Sequence, residues 1–213
     1  MTSIILIAII ALAHLAQHEF IDKFSFHIGS IRKGEYHRIL TPFLVHSGWV
    51  HLLMNAMGIY YFAPTVEYFT SPTLTYLIFL ISVIGGSLYT LALRFKDKNY
   101  LAVGASGGVS GLVMFTMFVE PHSGIGLFLI PVYLPAYIFG IIFVWFSIIL
   151  SQTGDRERIS HEGHLGGLLF GGLFPALFFP LDPSAKYLLY FGLIPMILFP
   201  IIRWTFPRFF YKK

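Results

Sequence analysis

The sequence predicts an all-α polytopic membrane protein, and three observations carry that prediction. Of its 213 residues, 56% are hydrophobic and 11% charged, and the mean hydropathy is +0.76, far from the composition of a soluble domain. The apolar residues gather into runs of roughly 17 to 22, the length an α-helix needs to cross about 30 Å of hydrocarbon. Most connections between the runs are short, so about six or seven such helices fill the chain and leave no room for a soluble domain. A single membrane domain over 1–213 is expected, with a core over about 2–179 and a further C-terminal segment over about 186–204.

The elements follow in order. The first helix is expected at about 2 to 18; its apolar stretch, Ile4 to Ala16, has no basic residue before it, which favours a spanning helix over a secretory signal. The longest polar interval comes next, His18 to Trp49, with Lys23, Arg32, Lys33, Glu35 and Arg38 among scattered aromatics. It reads as an ordered structure at the membrane surface rather than a tether. Further helices are expected at about 50 to 69, 73 to 94, 103 to 119, 134 to 151, 161 to 179 and 186 to 204. Between the fourth and fifth, Pro121, Pro131 and Pro135 punctuate the apolar stretch Gly124 to Leu134, which reads as interfacial or re-entrant.

The pI near 9.3 would suggest nucleic acid in a soluble protein. Here the basic residues sit in loops beside helix ends, where topology or anionic headgroups explain them, and no nucleic-acid partner is expected. The absence of cysteine excludes a disulfide, a thiolate nucleophile and a cysteine metal site. If all seven helices span, 13 of the 14 Lys and Arg lie on the face carrying the His18 to Trp49 interval, with Lys186 opposite.

Counting crossings brings chemistry together. The second, fourth and sixth helices all enter the membrane from that same face. His51 stands at the start of the second, Ser106 at the start of the fourth and His164 at the start of the sixth. Gly104, Gly107, Gly108 and Gly111 in the fourth helix, and Gly163, Gly167 and Gly171 in the sixth, repeat at helix-contact spacing and let two backbones approach closely in lipid. A serine hydroxyl becomes a nucleophile when a base takes its proton, and a neutral histidine does this near pH 7. Ser106 and His164 would form that pair, as a dyad without a carboxylate partner. His51 and Asn55, one turn apart on one helix face, would donate to the oxyanion, joined by the Ser106 backbone N–H.

Ser110 competes with Ser106. Gly108-Val109-Ser110-Gly111 repeats the pattern of Gly104-Ala105-Ser106-Gly107 one turn deeper on the same face. Ser106 is preferred because it lies nearer the water-accessible loop and the depth of His51.

Three segments together resemble the rhomboid intramembrane serine proteases: Arg38-Ile-Leu-Thr-Pro-Phe-Leu-Val-His46-Ser-Gly-Trp49-Val-His51-Leu-Leu-Met-Asn55, Gly104-Ala-Ser106-Gly107 and His161-Glu-Gly-His164-Leu-Gly-Gly167. The resemblance runs from about Gly34 to Gly172. It implies a six-helix core, here with an additional C-terminal transmembrane helix, that cleaves transmembrane segments of single-span proteins through an acyl-enzyme. It implies Ser106 as nucleophile, His164 as general base, and His51 with Asn55 as oxyanion hole, with no cofactor and no metal. The partners would be substrate transmembrane helices and the lipid bilayer. The His18 to Trp49 interval would be the family's membrane-embedded loop, the fifth helix the substrate gate, and the Gln152 to Ser160 loop a cap. Relatives often place an aromatic four residues after the nucleophile, against the histidine; this chain has Ser110 there. Bacterial relatives usually open their site away from the cytosol, whereas the basic residues argue for a cytosolic opening.

Two rival functions are weighed against the protease. His161-Glu162-Gly163-His164 suggests a zinc site, but the metal motif HExxH needs the second histidine one residue later. A catalytically inactive rhomboid-like protein that binds or escorts client helices is the alternative; such proteins typically lack the serine or the histidine that this chain has. The expected location is an integral multi-pass position in a cell membrane.

Overall fold

The computed structural model describes residues 1–127, 130–152 and 159–206. Its principal helices are α1 Thr2–Ala16, α2 Trp49–Phe69, α3 Pro72–Arg94, α4 Ser106–Val119, α5 Ala136–Leu150, α6 His161–Phe178 and α7 Ala185–Thr205. Among the described residues, three are long and apolar enough to cross a membrane by length and composition: α1 with the helical turn after it, α3 and α7. Large apolar side chains such as Leu12, Leu53, Ile149, Leu177 and Ile201 face outward, the pattern expected of a surface solvated by lipid.

Local chemistry sets the helix starts. Ser71 caps α3 by accepting from Leu74 N–H, with Pro72 in the first turn, where its missing N–H costs nothing. Ser160 caps α6 by accepting from Gly163 N–H at 2.9 Å. The fourth helix begins three residues later than the apolar run suggests, because Gly104 has φ +116°, outside the helical region. With 14 residues, α4 covers about 21 Å of the roughly 30 Å hydrocarbon layer. If its far end meets the opposite interface, its first turn lies about 9 Å below the near one.

The polar interval after α1 is ordered, as expected. Short helical turns lead to strand β1, Phe26–His27, which pairs antiparallel with β2, Leu101–Ala102, placing Phe26 opposite Ala102. Buried Arg38 organises this interval: its Nη1 donates to the carbonyls of Asp22 at 2.6 Å and Ser25 at 2.9 Å. Its Nε pairs with Glu35 at 2.7 Å and holds that carboxyl below its usual range. The stretch expected to be interfacial or re-entrant is an antiparallel hairpin, β3 Gly124–Leu127 with β4 Ile130–Pro135. Prolines at 131 and 135 bar a helix there, and strand pairing satisfies backbone groups instead.

Helix α6 is the centre of the bundle and packs against α3 and α4. A Cβ on Gly167 would fall on the Gly107 carbonyl, and one on Gly171 would fall on the Gly111 backbone. On the other side, a Cβ on Gly166 would come within 2.5 Å of the Gly85 carbonyl oxygen. Glycine thus sets the interhelical distance on both flanks of α6.

The seventh helix is docked through its own prolines. Pro195 and Pro200 cannot donate to the carbonyls four residues earlier, Phe191 and Met196. Trp145 Nε1 of α5 donates to the Phe191 carbonyl at 3.1 Å, and Tyr89 OH of α3 to the Met196 carbonyl at 2.7 Å. A π-helical turn over Leu189–Leu193 precedes Pro195.

Candidate active site

The starts of α2, α4 and α6 meet around one open cavity of about 730 Å³. Its lining includes Ser106 and Ser110 of α4, His164 of α6, and His51 and Asn55 of α2. All five residues singled out from the sequence therefore share one wall system. Ser106 is the first residue of α4 and half-buried; Ser110 lies one turn deeper with 2% exposure.

His164 Nε2 is buried and makes no hydrogen bond, so neither serine is hydrogen-bonded to it. Such contacts often tighten only when substrate is bound. The imidazole is held by ring contacts instead. Phe143 of α5 lies 6.0 Å away between centroids, and His161 stands nearly perpendicular at 5.6 Å. The aromatic support missing at Ser110 thus comes from the neighbouring helix.

His51 lies over Gly104, where an added Cβ would stand 2.5 Å from the ring. Only glycine meets both that approach and the left-handed φ at this position. Ser47 Oγ stands 3.0 Å from His51 Nδ1. With the hydroxyl donating, the ring proton sits on the buried Nε2, which has no hydrogen-bond partner. Asn55 Nδ2 donates back to the His51 carbonyl at 3.1 Å, leaving its second N–H for another acceptor.

Several residues were not assigned a role from sequence. His46, fully buried, accepts from Ala105 N–H through Nε2 at 3.4 Å and so braces the residue before Ser106. Its own backbone N–H donates to Gln17 Oε1 at 2.9 Å. His14 of α1 stacks edge-on against Trp49 at 4.6 Å and lies 6.0 Å from His46. Burial, reinforced by His51 and His14, pushes His46 down to about 3, keeping it neutral and able to accept.

Glu162 is a further one. Its carboxylate has no exposure, and Arg94 Nε of α3 donates to it at 2.6 Å. Tyr100 OH donates to its second oxygen at 3.3 Å, and Arg203 Nη1 of α7 stands 3.8 Å from the first. The glutamate of the His161-Glu162-Gly163-His164 sequence is thus engaged away from the cavity, which removes it as the general base of a zinc site.

The Rhomboid domain profile matches residues 33–181, more than half of the chain. The chain belongs to the rhomboid family. YdcA of Bacillus subtilis (strain 168), provisionally named a rhomboid protease, is 37% identical over 89 residues, 42% of this chain and 44% of that protein. RHOMBOID-like protein 12, mitochondrial, of Arabidopsis thaliana is 26% identical over 167 residues, 71% of this chain and 49% of that protein. Rhomboid protease GluP of Bacillus subtilis (strain 168) is 31% identical over 146 residues, 68% of this chain and 26% of that protein. This rhomboid chain therefore matches less than half the length of each of these relatives. It is an integral multi-pass membrane protein with an all-α rhomboid bundle. Helix α7 lies beyond the matched region, and most of the Gln152 to Ser160 loop, expected as a cap, lies outside the described residues.

Proposed function

We propose that the protein is an intramembrane serine endopeptidase that cleaves transmembrane segments of single-span proteins. The observation that carries the reading is the convergence of Ser106, His164, His51 and Asn55 on one cavity at three helix starts. Membership of the rhomboid family and relatives with protease names support it.

The substrate path follows the seam between α2 and α5. Met54 of α2 lines both the active-site cavity and a deeper open cavity of about 660 Å³, which continues past Met57, Gly58 and Tyr61 to Phe139 of α5 and the β3–β4 hairpin. A helix entering there shields its own peptide bonds with hydrogen bonds, so the cleavable stretch must unwind. Gly, Pro or polar residues near the scissile bond make that easier.

In the proposed reaction, Ser106 Oγ attacks the carbonyl carbon while His164 Nε2 takes the hydroxyl proton. The negative charge formed on the carbonyl oxygen is met by His51 Nε2–H, Asn55 Nδ2–H and the Ser106 backbone N–H. Collapse breaks the C–N bond, and the proton on His164 passes to the leaving amine. Water then gives its proton to His164 and attacks the acyl carbon; the ester bond breaks, and the proton returns to Ser106. A short α4 makes the site reachable by that water.

Labelling with a fluorophosphonate probe in liposomes tests the nucleophile. Wild type and Ser110→Ala should label and Ser106→Ala should not. Labelling that persists in Ser106→Ala contradicts the assignment. No labelling of wild type favours a rhomboid-like protein that binds client helices without cutting them.

A further inference from the structure

Resting on the protease reading, we infer that the C-terminal helix is part of the active-site scaffold: Arg203 of α7, acting with Arg94 of α3 on Glu162, positions the first turn of α6 and thereby His164. Four observations lead there. Glu162 is two residues before His164 and fully buried, so its place is set by its partners and not by solvent. Those partners come from separate elements: Arg94 ends α3, Tyr100 precedes β2 and Arg203 is in the last turn of α7.

The same turn is held a second time by Ser160, whose Oγ accepts from Gly163 N–H at 2.9 Å and lies 3.0 Å from both Tyr100 OH and Thr90 Oγ1. Tyr100 thus touches both the cap and the carboxylate. Finally, α7 has a fixed place from which to deliver Arg203, because the carbonyls that Pro195 and Pro200 leave unpaired are bound by Trp145 and Tyr89.

A buried carboxylate in this position is strongly tied to its cations, since losing one leaves charge in a low-dielectric setting. The expected consequence is rotation or fraying of the turn that carries His161 to His164. Small displacements of a base cost rate more than binding. Arg203 and Glu162 are therefore positioning residues, and they touch neither substrate nor reacting atoms.

The test uses the full chain in liposomes, with kcat and KM measured for one single-span substrate and the fluorophosphonate labelling rate measured in parallel. Arg203→Met should lower kcat and the labelling rate together by roughly 10- to 100-fold while KM stays within about twofold. Arg203→Lys should recover most of the loss. In a Glu162→Gln background, Arg203→Met should add less than about threefold, because the two residues act through one contact. Each variant is compared at equal folded fraction from thermal unfolding; if Arg203→Met does not fold, Arg203→Gln serves in the same cycle. Wild-type kcat in Arg203→Met or its Arg203→Gln substitute, a loss confined to KM, or full multiplication of the losses in the Glu162→Gln background would overturn the inference. Wild-type cleavage and Ser106 labelling are the control, and their absence would count against the protease reading itself.

Discussion

Ser106 and Ser110 sit one turn apart on α4, and both line the cavity; what separates them is depth, since the first begins the helix and the second is 2% exposed. That distinction was readable from the doubled glycine-serine pattern once helix parity was counted. The role of His46 was not, although it stands within the motif. Its partner is the backbone N–H of Ala105, distant in sequence, and no side-chain spacing announces a histidine that accepts from a main chain. Its neutrality has a consequence for pH. A group whose folded pKa of about 3 lies below its ordinary value of 6.5 binds fewer protons folded than unfolded between those values. Its contribution is present above pH 6.5 and falls as pH drops toward 3. The unfolding midpoint of the wild type should therefore decrease from pH 7.5 to about 5, and His46→Gln should flatten part of that slope. An unchanged slope in the variant would show that other groups cause it.

Helices were legible as elements because their apolar runs have membrane length, and all seven appear close to their expected places. Departures occur where local backbone chemistry outranks hydropathy. Gly104 delays α4 by adopting φ +116°, and the prolines at 131 and 135 turn an apolar stretch into a hairpin. The contact between α4 and α6 was visible in the spacing of their glycines, whereas the contact of α3 with α6 through Gly85 and Gly86 was not, because those two glycines are adjacent and show no repeat. These close approaches predict a large effect of size. Gly171→Leu would drive a side chain into the Gly111 backbone and should destabilise the bundle by about 3 kcal/mol or more, since backbone yields less than side chain. Gly48→Ala, where nothing lies within 4 Å, should cost no more than about 1 kcal/mol, the loss expected for alanine at the N-cap of α2. Equal unfolding midpoints for the two variants would contradict the packing.

At the scale of the whole molecule, one bundle joins an ordered polar interval, three converging helix starts and a C-terminal helix that reaches back to Glu162. Topology alone brought the cavity residues together in the sequence reading, because alternate helices must enter from one face. The brace behind them stayed hidden, since Arg94, Tyr100, Glu162 and Arg203 lie on different elements and follow no motif. The most direct measurement of the central claim is cleavage in liposomes of a single-span substrate carrying Gly and Ala near mid-membrane, with wild type, Ser106→Ala and His164→Ala compared. Wild type should release two fragments, and each variant should lose at least about 1,000-fold in rate. Cleavage by Ser106→Ala at the wild-type rate would contradict the account.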